Sequence, residues 1–111
     1  MVTFIKSVTF DCRHALAAAE FWAAALGSNV DEDSTVQKAY VEAPGWGGPN
    51  LWFRQVPEPK AAKNRIHFDL RAPEGLDEEV RRLAELGAVI VQTFEDLVVM
   101  QDPDGNEFCV E

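Results

Sequence analysis

Apolar and polar side chains alternate at the start of this chain, and this alternation predicts a strand over residues 3–12. One side of the strand carries Val8, Phe10 and Cys12, and the other side carries Ser7, Thr9 and Asp11. The period then changes. Residues 15–26 are rich in alanine and end before Gly27, a pattern typical of a helix with a glycine cap.

The remaining elements follow from the same periods and from the turn residues between them. A second helix is predicted over residues 76–86, where apolar residues recur at helical spacing and acids fill the first turn. Strands are predicted at about 29–31, 35–42, 50–56, 65–71, 88–92, 97–101 and 107–111. The chain therefore alternates short strands with two helices, as expected of an α+β protein.

The second half of the chain repeats the first. "SVTFDCR" at 7–13 and "RIHFDLR" at 65–71 share an apolar residue, Phe, Asp and Arg at matching places, and each leads into a helix that ends in Leu-Gly. This predicts one domain, 1–111, made of two βαβββ units at about 1–56 and 64–111. "PEPKAAKN" at 57–64 reads as the connector between them.

The first predicted helix is apolar on most of its sides. Glu20 is its one charged residue, and Phe21 and Trp22 lie outside the main apolar stripe. Such a helix needs a second partner, which is either the loops of its own chain or a second copy of the chain. We expect a homodimer, and whether the ligand site forms within one chain or across two stays open.

Composition narrows the class of protein. The chain has 111 residues, of which 47% are hydrophobic and 26% charged, an ordinary globular mixture. The net charge of −9 opposes binding to nucleic acid and to anionic membranes. No apolar run approaches the roughly 20 residues of a membrane span, and the two cysteines are too few for a disulfide scaffold. We therefore expect a soluble, cytoplasmic protein with reduced thiols.

The motifs "FDC…FWAAALG", "NRIHFDLR…LAELGA" and "DPDGNEF" resemble the vicinal oxygen chelate superfamily, and within it the small glyoxalase-like domains. The superfamily includes glyoxalase I, bleomycin-resistance proteins and extradiol dioxygenases. The resemblance spans essentially the whole chain. It implies tandem βαβββ units that form a cup-shaped curved mixed sheet, with the helices outside and a ligand inside. It does not fix the activity, because the fold hosts lyases, oxygenases and binding proteins.

The resemblance also implies where a metal would bind. Metal-dependent members carry four ligands, a His or Gln, a Glu, a His and a Glu, at positions that align here with Ser7, Trp52, Arg65 and Cys109. Ser is a poor ligand, Trp is none, and Arg is a permanent cation. We therefore predict no metal and no cofactor, and divalent metal is disfavoured.

Alternate residues of a strand point to the same face of a sheet, and this gives the candidate site residues on the cup side. The predicted ligand-binding residues are Ser7, Thr9, Trp52, Arg54, Arg65, His67 and Cys109. His67, Asp69 and Glu111 are candidates for proton transfer. The two arginines either form a fork for an oxyanion or pair with nearby acids, and Trp52 is either a stacking platform or filling. Trp46, in a loop rich in Gly and Pro, reads equally as a lid or as a plug.

The sequence thus predicts a glyoxalase-like protein that binds an anionic or aromatic metabolite or drug-like molecule and lacks the family metal site. The alternative is a lyase or isomerase of the glyoxalase I type, either metal-dependent or using His67 for proton transfer. The identity of the ligand or substrate does not follow from the sequence.

Overall fold

The computed structural model describes residues 1–43 and 47–111. The chain divides into two compact units, Met1–Pro59 and Lys60–Glu111, and each has its own mixed sheet and one helix. The predicted α+β class with tandem units is confirmed; in the described residues the first unit is βαββ and the second is the predicted βαβββ. Trp46 lies outside the described residues, so its two interpretations stay as predicted.

The first unit contains a three-stranded sheet. Its strands are β1 (Ser7–Cys12), β2 (Lys38–Val41) and β3 (Asn50–Gln55), in the order β1-β3-β2. β1 and β3 run parallel, which requires a long connection, and α1 (Ala15–Leu26) together with β2 supplies it. β2 pairs with β3 in the antiparallel direction.

The ends of α1 explain its length. The backbone N–H of Ala17 donates to Nδ1 of His14 at 3.0 Å, so the imidazole caps one of the exposed N–H groups of the first turn. Gly27 follows the helix with φ of 68°, a left-handed conformation that favours glycine. Both ends of the predicted helix 15–26 are therefore confirmed.

Aromatic side chains form the core of the first unit. Phe10 lies 5.7 Å from Trp22 and 5.1 Å from Phe53, measured between ring centroids, so α1 packs on the apolar side of β1 and β3. Phe21 and Trp22 are only 4% and 1% exposed. The chain itself therefore buries both aromatic residues that fall outside the main apolar stripe of α1.

The second unit contains a four-stranded sheet in the order β4-β7-β6-β5. Its elements are β4 (Phe68–Leu70), α2 (Leu76–Glu85), β5 (Val89–Thr93), β6 (Val98–Gln101) and β7 (Glu107–Val110). β4 pairs parallel to β7, and the other two pairings are antiparallel. β5 forms one edge of the sheet, as β2 does in the first unit.

The second helix buries one stripe and exposes the other. Val80 and Leu83 are buried, whereas Arg82 bonds across the surface to Glu79 at 2.8 Å. This is the arrangement expected of a surface helix. Other buried side chains of this unit are Ala88, Val98, Met100, Phe108 and Val110.

The "DPDGN" segment makes the predicted turn between β6 and β7. The carboxylate of Asp102, 3% exposed, accepts bonds from the backbone N–H groups of Asp104 and Asn106 and from the side-chain amide of Asn106. Three donors satisfy this buried acid, which fixes the turn and the start of β7.

Some predicted strands are shorter in the structure. β1 begins at Ser7 instead of residue 3, and the strand predicted at 29–31 is a single bridge between Val30 and Val41. β4 begins at Phe68 instead of residue 65. Its partner β7 begins at Glu107, so β7 has no residues that could pair with Arg65 and Ile66. Ile66 precedes the strand and is 82% exposed, so it does not pack under a helix.

In the described part of the chain, neither helix has the length and apolar character that crossing a membrane requires.

Candidate functional site

The sheet of the first unit has a polar face opposite α1. Strand register places Thr9 beside Trp52 and Asp11 beside Arg54. On the other side of β3, Tyr40 lies beside Trp52 and Lys38 beside Arg54. These six residues share one face because Val8, Phe10, Leu51, Phe53, Ala39 and Val41 alternate with them on the face that packs toward the helix. We call the six the polar face of unit 1.

Trp52 is at the centre of this face and has contacts on two sides. The Tyr40 ring lies 4.5 Å from it, centroid to centroid, at an interplanar angle of 51°. The Lys38 ammonium lies 4.9 Å from the centroid of the indole, within the range of a cation–π contact. The face therefore combines an aromatic surface with a positive charge.

Arg54 adds a second cation to the same face. Its Nη2 lies 3.4 Å from Oδ1 of Asp11, and the two side chains are 65% and 57% exposed. An ion pair this exposed is weak, on the order of 0–1 kcal/mol. A ligand carboxylate would therefore compete with Asp11 for the guanidinium at little cost.

Two shallow depressions meet at Lys38 and Trp52. One, of about 240 Å³, is lined by Thr9, Lys38, Trp52, Phe53 and Arg54. The other, of about 350 Å³, is lined by Asp31, Asp33, Ser34, Thr35, Lys38, Tyr40 and Trp52. Concave, partly apolar surface with a few polar groups is the usual setting for a small ligand.

Lys38 and Tyr40 were not among the site residues predicted from the sequence. The signal was present, because "KAYV" at 38–41 alternates polar and apolar residues and the structure buries Ala39 and Val41. The predicted strand 35–42 was longer than the observed one and no face was assigned to it, so the two residues were not placed beside Trp52.

In the second unit, three metal-binding types of side chain converge. Asp69 on β4 is the register partner of Cys109 on β7, and His67 lies two residues before Asp69. Nε2 of His67 is 3.4 Å from Oδ1 of Asp69. One donor atom from each of the three residues lies within 4.8 Å of the other two. We call this set the donor cluster.

The surroundings of Cys109 affect the pKa of its thiol and therefore its reactivity. Burial raises the pKa of this thiol, and the charges of Asp69 and Glu111 and a hydrogen bond to Asp69 raise it further, against a smaller opposing effect of Lys63. A raised pKa keeps the thiol protonated near neutral pH, which disfavours a nucleophilic cysteine.

The other predicted residues take separate places. Ser7 begins β1 opposite Asn50, and Arg65 is exposed ahead of β4. Glu111 follows β7, with its backbone N–H bonded to Leu70 at 2.9 Å. Of the three candidates for proton transfer, the structure brings His67 and Asp69 together, and it shows no direct contact from Glu111 to either within the described residues.

The four positions that the resemblance assigns to metal ligands offer few suitable donor atoms. Trp52 is engaged with Tyr40 and Lys38, so an aromatic ring and an ammonium stand where a carboxylate ligand would be needed. Ser7 and Arg65 add no suitable donor. Cys109 alone keeps a ligand, and it does so as part of the donor cluster.

The profile of the glyoxalase-like domain matches residues 7–111. The chain belongs to the glyoxalase-like domain family. This confirms the resemblance to the vicinal oxygen chelate superfamily. A comparison with curated proteins gives no match.

Solved structures with the same fold cover nearly all of this glyoxalase-like chain. A glyoxalase/bleomycin resistance protein/dioxygenase family enzyme from Burkholderia phytofirmans PsJN has a TM-score of 0.73 and 17% identity, with 97% of each chain covered. A possible glyoxalase from Bacillus cereus has a TM-score of 0.72 and 19% identity, with 98% of each chain covered. These identities support the shared fold and leave the activity open.

A third similar structure is a mutant of the fosfomycin resistance protein FosX from Listeria monocytogenes, complexed with Mn(II) and 1S,2S-dihydroxypropylphosphonic acid. Its TM-score is 0.74 at 13% identity, and the match covers 100% of this chain and 90% of FosX. The metal and the phosphonate belong to that protein.

Proposed function

We propose that this glyoxalase-like protein binds a small aromatic or anionic molecule on the polar face of unit 1, and that no metal at the family positions takes part in this binding. The observation that supports this best is the grouping of Trp52 and Tyr40 with Lys38 beside Arg54. A flat aromatic ring would stack on Trp52, and a carboxylate or similar anion on that ring would reach the two cations.

The energies of these contacts favour a molecule that carries both groups. An aromatic pair contributes about 0.5–1.5 kcal/mol beyond the burial of its area, and charge-assisted bonds are about twice as strong as neutral ones. The guanidinium of Arg54 offers paired donors that match a planar carboxylate, whereas the Lys38 ammonium acts as a point charge. Both side chains are exposed, so neither must give up a strong partner.

Native mass spectrometry of the purified protein will show whether it retains a small molecule. Binding is then measured by tryptophan fluorescence with 2-naphthoate and with its neutral amide. We expect the carboxylate to bind more tightly than the amide. Lys38→Met and Arg54→Met should each weaken naphthoate binding about tenfold, which corresponds to 1.4 kcal/mol.

The control is Arg81→Met, a cation on the exposed side of α2. It removes the same charge from the chain and should leave the affinity unchanged. Equal affinity for the amide and the carboxylate, or an equal loss in the control variant, would contradict the proposed site.

A second candidate function is a lyase or isomerase of the glyoxalase I type. The contact between His67 and Asp69 favours it, because a carboxylate beside an imidazole orients the ring for proton transfer. Turnover of a glyoxalase substrate that is lost in His67→Gln and kept in His14→Asn would support this candidate over a pure binding function.

We also propose that the protein forms a homodimer through exposed apolar side chains. Val89, Ile90 and Val91 on the edge strand β5 are 50–57% exposed. An edge strand with a row of apolar residues is a usual site of association. Light scattering after size exclusion will give the mass, and Ile90→Lys should convert a dimer to a monomer.

A further inference from the structure

We propose that the donor cluster of His67, Asp69 and Cys109 is a binding site for a divalent cation that accepts sulfur, nitrogen and oxygen ligands, with Zn²⁺ the best match. None of the family metal positions except Cys109 takes part in it. The site therefore differs from the family site in two of its three ligands and lies within the second unit alone.

The distance between His67 and Asp69 matches that expected around a tetrahedral ion. With metal–nitrogen and metal–oxygen bonds of about 2.0–2.1 Å, two such ligands at a tetrahedral angle are roughly 3.3 Å apart. Nε2 of His67 and Oδ1 of Asp69 are 3.4 Å apart. A thiolate bound at about 2.3 Å would lie roughly 3.6 Å from either atom, and the largest separation in the cluster is within 4.8 Å.

The backbone positions two of the ligands and leaves the third adjustable. Asp69 and Cys109 are register partners in adjacent parallel strands, so their side chains leave the sheet on the same side. His67 stands just ahead of β4, where no ladder restrains its backbone. Three protein ligands leave a fourth position for water or for a small molecule.

Ligand type separates this site from those for Mg²⁺ and Ca²⁺. These hard cations prefer oxygen ligands, whereas a thiol and an imidazole favour Zn²⁺ and its neighbours among the transition metals. The nearby carboxylate of Glu111 adds negative charge that attracts a cation, while Lys63 opposes it. The sequence disfavours a metal at the family positions, whereas two ligands of the donor cluster lie outside them, and a metal titration decides between that expectation and this proposal.

The test uses the full chain without a histidine tag, stripped of metal by a chelator and titrated with Co²⁺ and Zn²⁺. We expect one equivalent of Co²⁺ to give a sulfur-to-cobalt charge-transfer band together with the visible bands of a tetrahedral ion. Zn²⁺ should displace the cobalt. Cys109→Ser should abolish the charge-transfer band. Loss of an outer-shell partner usually weakens metal binding 10- to 100-fold. His67→Ala removes a direct ligand and should therefore weaken Co²⁺ binding by more than that.

The chain supplies its own controls, because it has two cysteines and two histidines. Cys12 is buried in the first unit, and His14 caps α1. Cys12→Ala and His14→Asn should therefore bind Co²⁺ like the unaltered protein, and circular dichroism will show that all variants are folded. Absence of the charge-transfer band at saturating Co²⁺, or its persistence in Cys109→Ser, would overturn the proposal.

These outcomes are independent of the proposed ligand site, since every residue of the polar face of unit 1 lies in the first unit. Failure of cobalt binding leaves the naphthoate measurements unaffected, and the reverse holds as well.

Discussion

The two units present the same strand motif with different chemistry beside it. Asp11 on β1 and Asp69 on β4 occupy matching places in "FDC" and "FDL", and each has a basic partner at 3.4 Å. The partner of Asp11 is Arg54, a permanent cation, and that of Asp69 is His67, which also has a lone pair to give to a metal. One acid therefore belongs to an ion pair, and its counterpart belongs to a set of potential ligands.

The apolar side of the motif is more alike in the two units. Phe10 packs against Trp22 and Phe53, and Phe68 is the register partner of Phe108. Core positions are held by close packing, whereas residues on the polar side of a sheet change with little loss of stability. The two units thus have similar apolar contacts but different polar surfaces, and four predictions test this contrast.

The largest effect should come from a pair of neighbours on β3 that point to opposite sides. Phe53 is 0% exposed, so Phe53→Ala should lower the free energy of unfolding by about 3–5 kcal/mol through the cavity it leaves. Trp52→Ala, on the polar face, removes the aromatic pair with Tyr40, should cost about 0.5–1.5 kcal/mol and should also abolish naphthoate binding. Urea denaturation gives both values, and an equal loss of stability in the two variants would contradict the contrast.

The matched acids give the next largest effect. Asp69→Asn removes a charged ligand and should reduce Co²⁺ affinity by more than about tenfold, or 1.4 kcal/mol. Asp11→Asn removes the same charge from the matching position and should leave Co²⁺ affinity unchanged. Cobalt titration of both proteins measures this, and a parallel loss would mean that overall charge alone, not the donor cluster, attracts the ion.

The surroundings of Glu107, in the second unit, lead us to expect that stability depends on pH. Burial acts to raise the pKa of its carboxyl, but hydrogen bonds from Lys60 and from the backbone N–H of Asn64 outweigh it, and the pKa lies below the ordinary value of 4.5. A lowered pKa stabilises the fold above pH 4.5, and the stabilisation is lost as the pH falls through the folded-state value.

Glu107→Gln should therefore cost about 1–2 kcal/mol at pH 7 and progressively less at pH values below 4. Urea denaturation at a series of pH values from 7 to 3 will measure this difference. Glu58→Gln, at an exposed position in the connector, is the control and should follow the unaltered protein throughout. A constant difference between Glu107→Gln and the unaltered protein across the series would exclude the proposed ion pair as its source.

The smallest effect should come from the exposed ion pair of the first unit. Asp11→Asn should change the free energy of unfolding by less than about 1 kcal/mol, because solvent already screens its interaction with Arg54. It should also strengthen naphthoate binding slightly, since Arg54 no longer has a competing acid. Weaker naphthoate binding in this variant would show that Asp11 positions the guanidinium for the ligand.

The sequence predicted the helices well and the strand ends less well. The ends of helix 15–26 are set by neighbouring residues, the capping residue His14 and Gly27 after the helix, and do not depend on a distant strand. The ends of a strand depend on where its partner begins. β4 is shorter than predicted because β7 has no residues before Glu107 with which it could pair. Arg65 and Ile66 therefore lie outside the strand, and the alternation of side chains between the two faces of a sheet does not apply to them.

The site residues show the same division. Parity placed Thr9, Trp52 and Arg54 on one side of the first sheet, and the observed register agrees with this geometry. Lys38 and Tyr40 were missed because their closeness to Trp52 depends on the pairing of β2 with β3. The donor cluster was missed for a similar reason, since the pairing of Asp69 with Cys109 joins strands that are far apart in the sequence.

The sequence by itself determined the α+β class, the family and the side of β1 and β3 that packs in the core. These depend on local periodicity and on end signals, which each segment carries alone. The tertiary structure decided which polar side chains meet: Lys38 with Trp52, and His67 with Asp69 and Cys109. Such contacts depend on register between distant strands, and a register is set by the packing of the whole sheet.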